Sequence, residues 1–141
     1  MRHRLYLHVA WTTREREPTI TAPFVAFLER FLPTVARQER ATLLAFGAVR
    51  THLHVVVRID PATCLPRLIQ RWKGGSSVIG SREQLGAGRR VRWAKGYNVE
   101  SISPRVLAAV VDYVNRQAER HPDEVIAELH RCVVATSPAA T

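Results

Sequence analysis

The chain has 141 residues, 46% of them hydrophobic, which is enough for one packed domain, too few for two, and excludes wholesale disorder. Its formal net charge of +9, from 21 basic against 12 acidic residues, favours a polyanionic partner. No stretch of about 18 apolar residues occurs, so no membrane-spanning helix is expected.

Nineteen of the basic residues are arginine, and Lys73 and Lys95 are the two lysines. Arginine suits phosphate because its planar fork makes two hydrogen bonds at once. The N-terminal stretch Met1 to His8 has no signal-peptide core. Cys64 and Cys132 follow no paired framework. A cytoplasmic protein with reduced thiols is therefore the expectation.

Residues 4–12 carry Leu5, Leu7, Val9 and Trp11 in partial alternation and predict a strand. Thr12 to Pro18 predicts a charged loop containing Arg14 and Arg16. Phe24, Phe27, Leu28, Phe31, Leu32 and Val35 recur at spacings of three and four and predict an amphipathic helix, with Pro33 expected to kink or shorten it. Leu43 to Val49 predicts a second strand, joined by Arg50 and Thr51 to a third, so that the two are antiparallel neighbours. Pro61 is expected to open a helix holding Leu65, Leu68, Ile69 and Trp72, which Lys73-Gly74-Gly75-Ser76-Ser77 interrupts or ends. Residues 80–90, rich in Gly and Arg, predict a mobile loop. Tyr97 to Ile102 predicts a short strand, and Ser103-Pro104 the start of a helix running to about His121. A single domain over residues 1–132 and a flexible tail over 133–141 complete the reading. The order of elements is that of an α+β, ferredoxin-like or RRM-like split βαβ plan, an antiparallel sheet with helices packed on it. That plan hosts many functions and decides none.

The third strand carries the most chemistry. Leu53, Val55, Val57 and Ile59 alternate onto one face, and His52 and His54 share the other with Val56 and Arg58. Two imidazoles two residues apart on a strand can aim at one point about 3 Å away, as a divalent metal requires. On the last helix Val106, Val110, Tyr113 and Gln117 form one stripe that begins apolar and ends in a phenol and an amide. By itself such a Tyr is an ordinary core residue with its hydroxyl in water, and such a Gln is simply solvated.

Together these pieces resemble the single-tyrosine transposases of the HUH superfamily, the enzymes of small bacterial insertion sequences and their REP-associated relatives. The histidine, bulky apolar residue, histidine pattern is His52-Leu53-His54, and the Tyr-x-x-x-Gln pattern of a late helix is Tyr113 to Gln117. Three further stretches look alike: His8-Val9-Ala10-Trp11-Thr12-Thr13 with Arg16 and Pro18, Trp72-Lys73-Gly74-Gly75-Ser76-Ser77, and Trp93-Ala94-Lys95-Gly96-Tyr97. His-x-His alone is a weak signal, whereas five segments in order over residues 4–121 are a strong one. The family often has Asn or Asp before the first histidine, and this chain has Thr51, which also hydrogen-bonds.

The resemblance implies a transposase that cleaves and rejoins single-stranded DNA. His52, His54 and Gln117 would bind one divalent ion, Mg²⁺ or Mn²⁺, and Tyr113 would attack the scissile phosphate. The products would be a 5′-phosphotyrosine and a free 3′-hydroxyl, with rejoining by reversal. Arg14, Arg16, Arg50, Arg58, Lys73, Arg89, Arg90, Arg92 and Lys95 are candidates for tracking DNA phosphates. Trp11, Trp72, Trp93 and Tyr97 are candidates for stacking bases, with Trp11 and Trp72 expected instead in the core. The resemblance further implies recognition of hairpins at element ends and a homodimer in which the tyrosine helix exchanges between subunits. Gly74-Gly75 and the loop 80–96 would give that helix room to move.

Four other readings use the same residues. A non-catalytic, domesticated nucleic-acid-binding module is the main alternative. An RNA-recognition domain would need aromatics on the central strands, where Phe46 stands alone. A two-histidine phosphoesterase would need a second His-x-Thr/Ser motif, and a structural zinc site would need tighter ligand spacing than Cys64 offers.

Overall fold

The computed structural model describes residues 4–116 and 133–135. Along the chain run β1 (Leu5–Thr12), a 3₁₀ turn (Arg14–Arg16), α1 (Ala22–Gln38), β2 (Ala41–Ala48), β3 (His52–Ile59), α2 (Leu65–Arg82), β4 (Asn98–Ile102), a 3₁₀ turn (Pro104–Val106), α3 (Leu107–Asn115) and β5 (Val133–Ala135). The strands form one sheet in the order β4-β1-β3-β2-β5, and every neighbouring pair is antiparallel. This is the split βαβ arrangement, with helices packed on an antiparallel sheet and one extra strand at the β2 edge.

Period-two alternation divides the sheet into two faces. Val9 and Trp11 of β1 and Leu53, Val55 and Val57 of β3 join a core closed by Phe24, Leu28 and Leu32 of α1 and Leu68, Ile69 and Trp72 of α2. Trp11 and Trp72 stack at 5.9 Å within it, as core residues. The opposite face carries a smaller cluster in which Tyr6, Leu44, Ala45, Val56 and Ile102 meet Leu107 and Val114 of α3. A bulge between Leu43 and Ala45 leaves Leu44 outside the β2–β3 pairing and brings both Leu44 and Ala45 into this second cluster. The first two helices thus cover one face and α3 the other.

Four expectations are corrected. The helix expected from Pro61 begins at Leu65, because the backbone before it closes as a turn in which Asp60 Oδ1 accepts from Ala62 N at 2.8 Å and Thr63 Oγ1 accepts from Asp60 N at 3.0 Å. Pro33 does not end α1, which runs on to Gln38 with Leu32, Val35 and Ala36 buried around it. Gly74 and Gly75 neither interrupt nor end α2, which continues to Arg82. A Cβ on Gly75 would lie 2.5 Å from Phe31 Cζ, and one on Gly80 2.9 Å from Phe24 Cε1. Gly75 and Gly80 therefore let α2 approach α1 and are packing positions. Val133–Ala135, expected to begin a flexible tail, pair with Ala45–Gly47 as β5. Two β-branched residues suit a strand, and the β2 edge offers backbone groups to pair with. The expected continuation of the last helix to His121 lies outside the described residues, as does Cys132.

Glu39, just past α1, ties the helix layer together. It accepts from Arg67 Nε at 2.9 Å and Arg71 Nη1 at 2.8 Å, both on α2, with its side chain 7% exposed. The Arg71 hydrogen bond, opposed by burial and reinforced by Arg67, holds the Glu39 carboxyl below its ordinary value of 4.5. A depressed carboxyl stabilises the fold above its unfolded value, and that contribution is lost as pH falls through the folded value. Glu39→Gln is therefore expected to lower the melting temperature at neutral pH, with the gap to wild type narrowing as pH falls below 4.5. A gap that stayed constant into acid would show that the charge contributes nothing. No helix among the described residues is long and apolar enough to cross a membrane.

Candidate active site

The β1–β3 register sets Ala10 opposite His54 and Thr12 opposite His52, while β2 sets Gly47 on the other side of His54. The α3-facing side of the sheet therefore has small residues flanking its second histidine. A cleft of about 300 Å³ opens there, lined by Ala10, Trp11, Thr12, Arg16, His52, His54, Asn98 and Tyr113. The chain brings its own Tyr113 to its own histidines: the Tyr113 ring stands edge-on to His54 at 5.9 Å between centroids. The His52 and His54 rings are 5.5 Å apart.

Each histidine is steadied through Nδ1. His52 Nδ1 lies 3.1 Å from Thr51 Oγ1, which accepts from Arg16 Nη2 at 3.3 Å. Thr51, the position at which the resembled family often has Asn or Asp, thus supplies a hydrogen-bonding partner for His52. His54 Nδ1 lies 2.7 Å from Nε2 of His8. In the sequence His8 opens the first-strand motif and has no role of its own. It also stands edge-on to the Tyr113 ring at 6.1 Å. Alternation on β1 puts His8 on the same side as Ala10 and Thr12, but its meeting with His54 depends on the β1–β3 register. Burial lowers the His8 pKa below its ordinary 6.5, and the negative charge of Glu100 opposes that shift.

Close backbone packing sets where Tyr113 stands. A Cβ on Gly47 would run into the carbonyl oxygen of Val114, the residue after Tyr113. Gly47→Ala is expected to cost about 1–3 kcal/mol through overpacking. Thermal melts check this; wild-type stability in the variant would show that α3 has slack on the sheet.

The basic candidates divide by position. Arg16 lines the histidine cleft. Arg14, Arg90 and Arg92 line a second cleft of about 450 Å³ with Ser77, Ser81 and Trp93. Arg89 and Arg92 pair with Glu17 at 3.1 and 3.2 Å. Burial alone would raise the Glu17 carboxyl, but the two arginines more than offset it and hold it below its ordinary value. Arg50 and Lys95 are exposed, and Arg58 sits four residues beyond His54 on β3, opposite Tyr6.

Lys73 is turned to structure. Its Nζ donates to the Ala94 and Gly96 carbonyls at 2.8 and 2.7 Å, and burial pushes its ammonium below the usual range. Trp93 donates to Ser76 Oγ at 3.0 Å and stacks on Phe24 at 5.9 Å. Two motifs read separately in the sequence are therefore fastened to each other, and together they carry the chain into β4. Gly96 takes a positive φ of 82°, which glycine allows without strain. Among the aromatic candidates for base stacking, Tyr97 is the open one, at 42% exposure. Gln117 lies outside the described residues.

Comparison with known proteins places this geometry. The chain is 19% identical over 124 residues to the ISDra2 transposase TnpA of Deinococcus radiodurans, covering 84% of this chain and 87% of that one. A crystal structure of a Deinococcus radiodurans R1 protein assigned as a transposase superposes with a TM-score of 0.63 at 20% identity, over 81% of this chain and 91% of that chain. A REP-associated tyrosine transposase solved with a REP hairpin superposes with a TM-score of 0.66 at 13% identity, over 86% of this chain and 73% of that chain. At those identities the two structures establish the shared fold. Residues 1–117 match the family described as transposase, IS200 like, and on that match the chain belongs to the IS200-like transposase family.

Proposed function

We propose that this transposase cuts and rejoins single-stranded DNA with Tyr113 as its nucleophile, and that His52, His54 and Gln117 hold one divalent cation, Mg²⁺ or Mn²⁺. The observation that carries the reading is the single cleft that Tyr113 shares with His52, His54 and Arg16. The donor set fits a cation of this kind. Both imidazoles engage a side chain through Nδ1, so Nε2 would be the nitrogen each offers to a cation. The third ligand implied by the resemblance, Gln117, would add a neutral amide oxygen and lies outside the described residues. When bound, the ion would supply Lewis-acid polarisation of the phosphate and stabilise the departing oxygen.

The residues of the chain account for the rest of the chemistry. The Tyr113 oxygen forms a bond to phosphorus as the bond from phosphorus to the 3′-oxygen breaks. The phenol proton passes to solvent, and the 3′-oxygen takes one up as a free hydroxyl. A phenol has a reference pKa near ~10 and is a weak nucleophile until positive charge favours the phenolate, a task open to Arg16 in the cleft. The phosphotyrosine ester retains the bond energy, so a second 3′-hydroxyl reverses the step without a nucleotide cofactor. Arg14, Arg50, Arg58, Arg89, Arg90, Arg92 and Lys95 would follow the phosphate backbone, and Lys73 would act on DNA through the segment it fastens. The neighbour solved with a REP hairpin supports a hairpin substrate, and the homodimer implied by the resemblance is part of the same proposal.

The test is incubation with labelled single-stranded hairpin DNA from the flanks of the gene. A covalent protein–DNA adduct is expected with Mg²⁺ or Mn²⁺ and is expected to vanish in a chelator. Binding without adduct under both metals would overturn the nuclease reading in favour of a DNA-binding module.

A further inference from the structure

We infer that His8 is a positioning residue that holds His54 in the tautomer able to bind the cation. The inference rests on the metal reading above and adds a residue to it. His8 Nε2 and His54 Nδ1 are 2.7 Å apart, and their rings lie 26° from parallel. A neutral imidazole has one N–H and one lone pair, so one proton lies between these two nitrogens. If it belongs to His54, the lone pair of that ring is on Nε2, where a cation can use it. If it belongs to His8, His54 carries its proton on Nε2 and cannot coordinate there. The choice of donor therefore decides whether the second histidine is a ligand.

The surroundings favour His54 as the donor. Glu100 stands opposite His8 in the β1–β4 register, and a carboxylate on that side would favour the His8 tautomer protonated on Nδ1 and accepting on Nε2. At the other histidine, Thr51 Oγ1 accepts from Arg16 and lies 3.1 Å from His52 Nδ1, where a hydroxyl oxygen can accept from an Nδ1–H in the same way. Both ligand rings are then protonated on Nδ1 by the same logic, one against a hydroxyl and one against an imidazole. His8 is half-buried between β1 and the Tyr113 ring, which fixes its plane as well as its distance.

Long-range nitrogen–proton NMR correlations on the metal-free protein at about pH 8, where imidazoles are neutral, read the tautomer directly. His54 is expected to carry its proton on Nδ1 in wild type. In H8F, which keeps a ring against Tyr113 but has no acceptor, that preference is expected to be lost and the Mn²⁺ dissociation constant to rise about 10–100-fold. H8Q, whose amide oxygen replaces the acceptor, is expected to restore the tautomer and most of the affinity. An Nε2-protonated His54 in wild type overturns the inference, and so does wild-type Mn²⁺ affinity in folded H8F. If H8F does not fold, the wild-type tautomer and H8Q decide alone. Absence of Mn²⁺ binding by wild type would instead remove the cation reading itself, and this inference with it.

Discussion

Tyr113→Phe is expected to abolish the covalent adduct and to reduce strand cleavage by at least about 10⁴-fold. The substitution removes one oxygen and leaves the ring. Its edge-on contacts with His8 at 6.1 Å and His54 at 5.9 Å need only the ring, and neighbouring Val114 still anchors α3 in the second core. Folding, Mn²⁺ affinity and DNA affinity should therefore stay within a few-fold of wild type, and the loss falls on chemistry alone. Adduct yield by denaturing electrophoresis, with metal affinity measured on the same sample, makes the check. Cleavage within about tenfold of wild type would mean that another group attacks the phosphate.

His54→Ala is expected to lose cleavage to a similar degree for a different reason. It removes a ligand from the proposed cation site and deprives His8 of its 2.7 Å partner. Mn²⁺ affinity should fall by at least about 100-fold, beyond the loss from a supporting residue. Binding of single-stranded DNA should survive with much the same salt dependence, because that term comes from arginine–phosphate contacts. The two variants separate cleanly: one loses chemistry with metal binding intact, the other loses both. Full cleavage by His54→Ala would take the cation out of the account.

Much of this arrangement was legible in the sequence because its causes are local. The alternation of Leu53, Val55 and Val57 against His52 and His54 follows from the pleat of a single strand. Val110 and Tyr113 share a face by helical geometry, while Val106 of the same expected stripe falls in the 3₁₀ turn and is exposed; the stacked core pair Trp11 and Trp72 follows from the apolar faces that hold them. Pro33 and Gly75 carry helix-breaking signals that act locally, and packing between α1 and α2 overrules them. The role of Lys73 was hidden in the same way: a lysine in a basic chain reads as a phosphate contact until its ammonium is found on the Ala94 and Gly96 carbonyls.

The sequence by itself determined the fold class, the two histidines on one strand face and the phenol on the last helix, because pleat and helical repeat are properties of neighbouring residues. Only the tertiary structure decided that α3 covers the face opposite α1 and α2, that Gly47 admits it at contact distance, and that His8 stands beside His54. Those facts turn on strand register and on helices meeting across the sheet. Residues 46 positions apart, as His8 and His54 are, meet only once the chain has closed around its core.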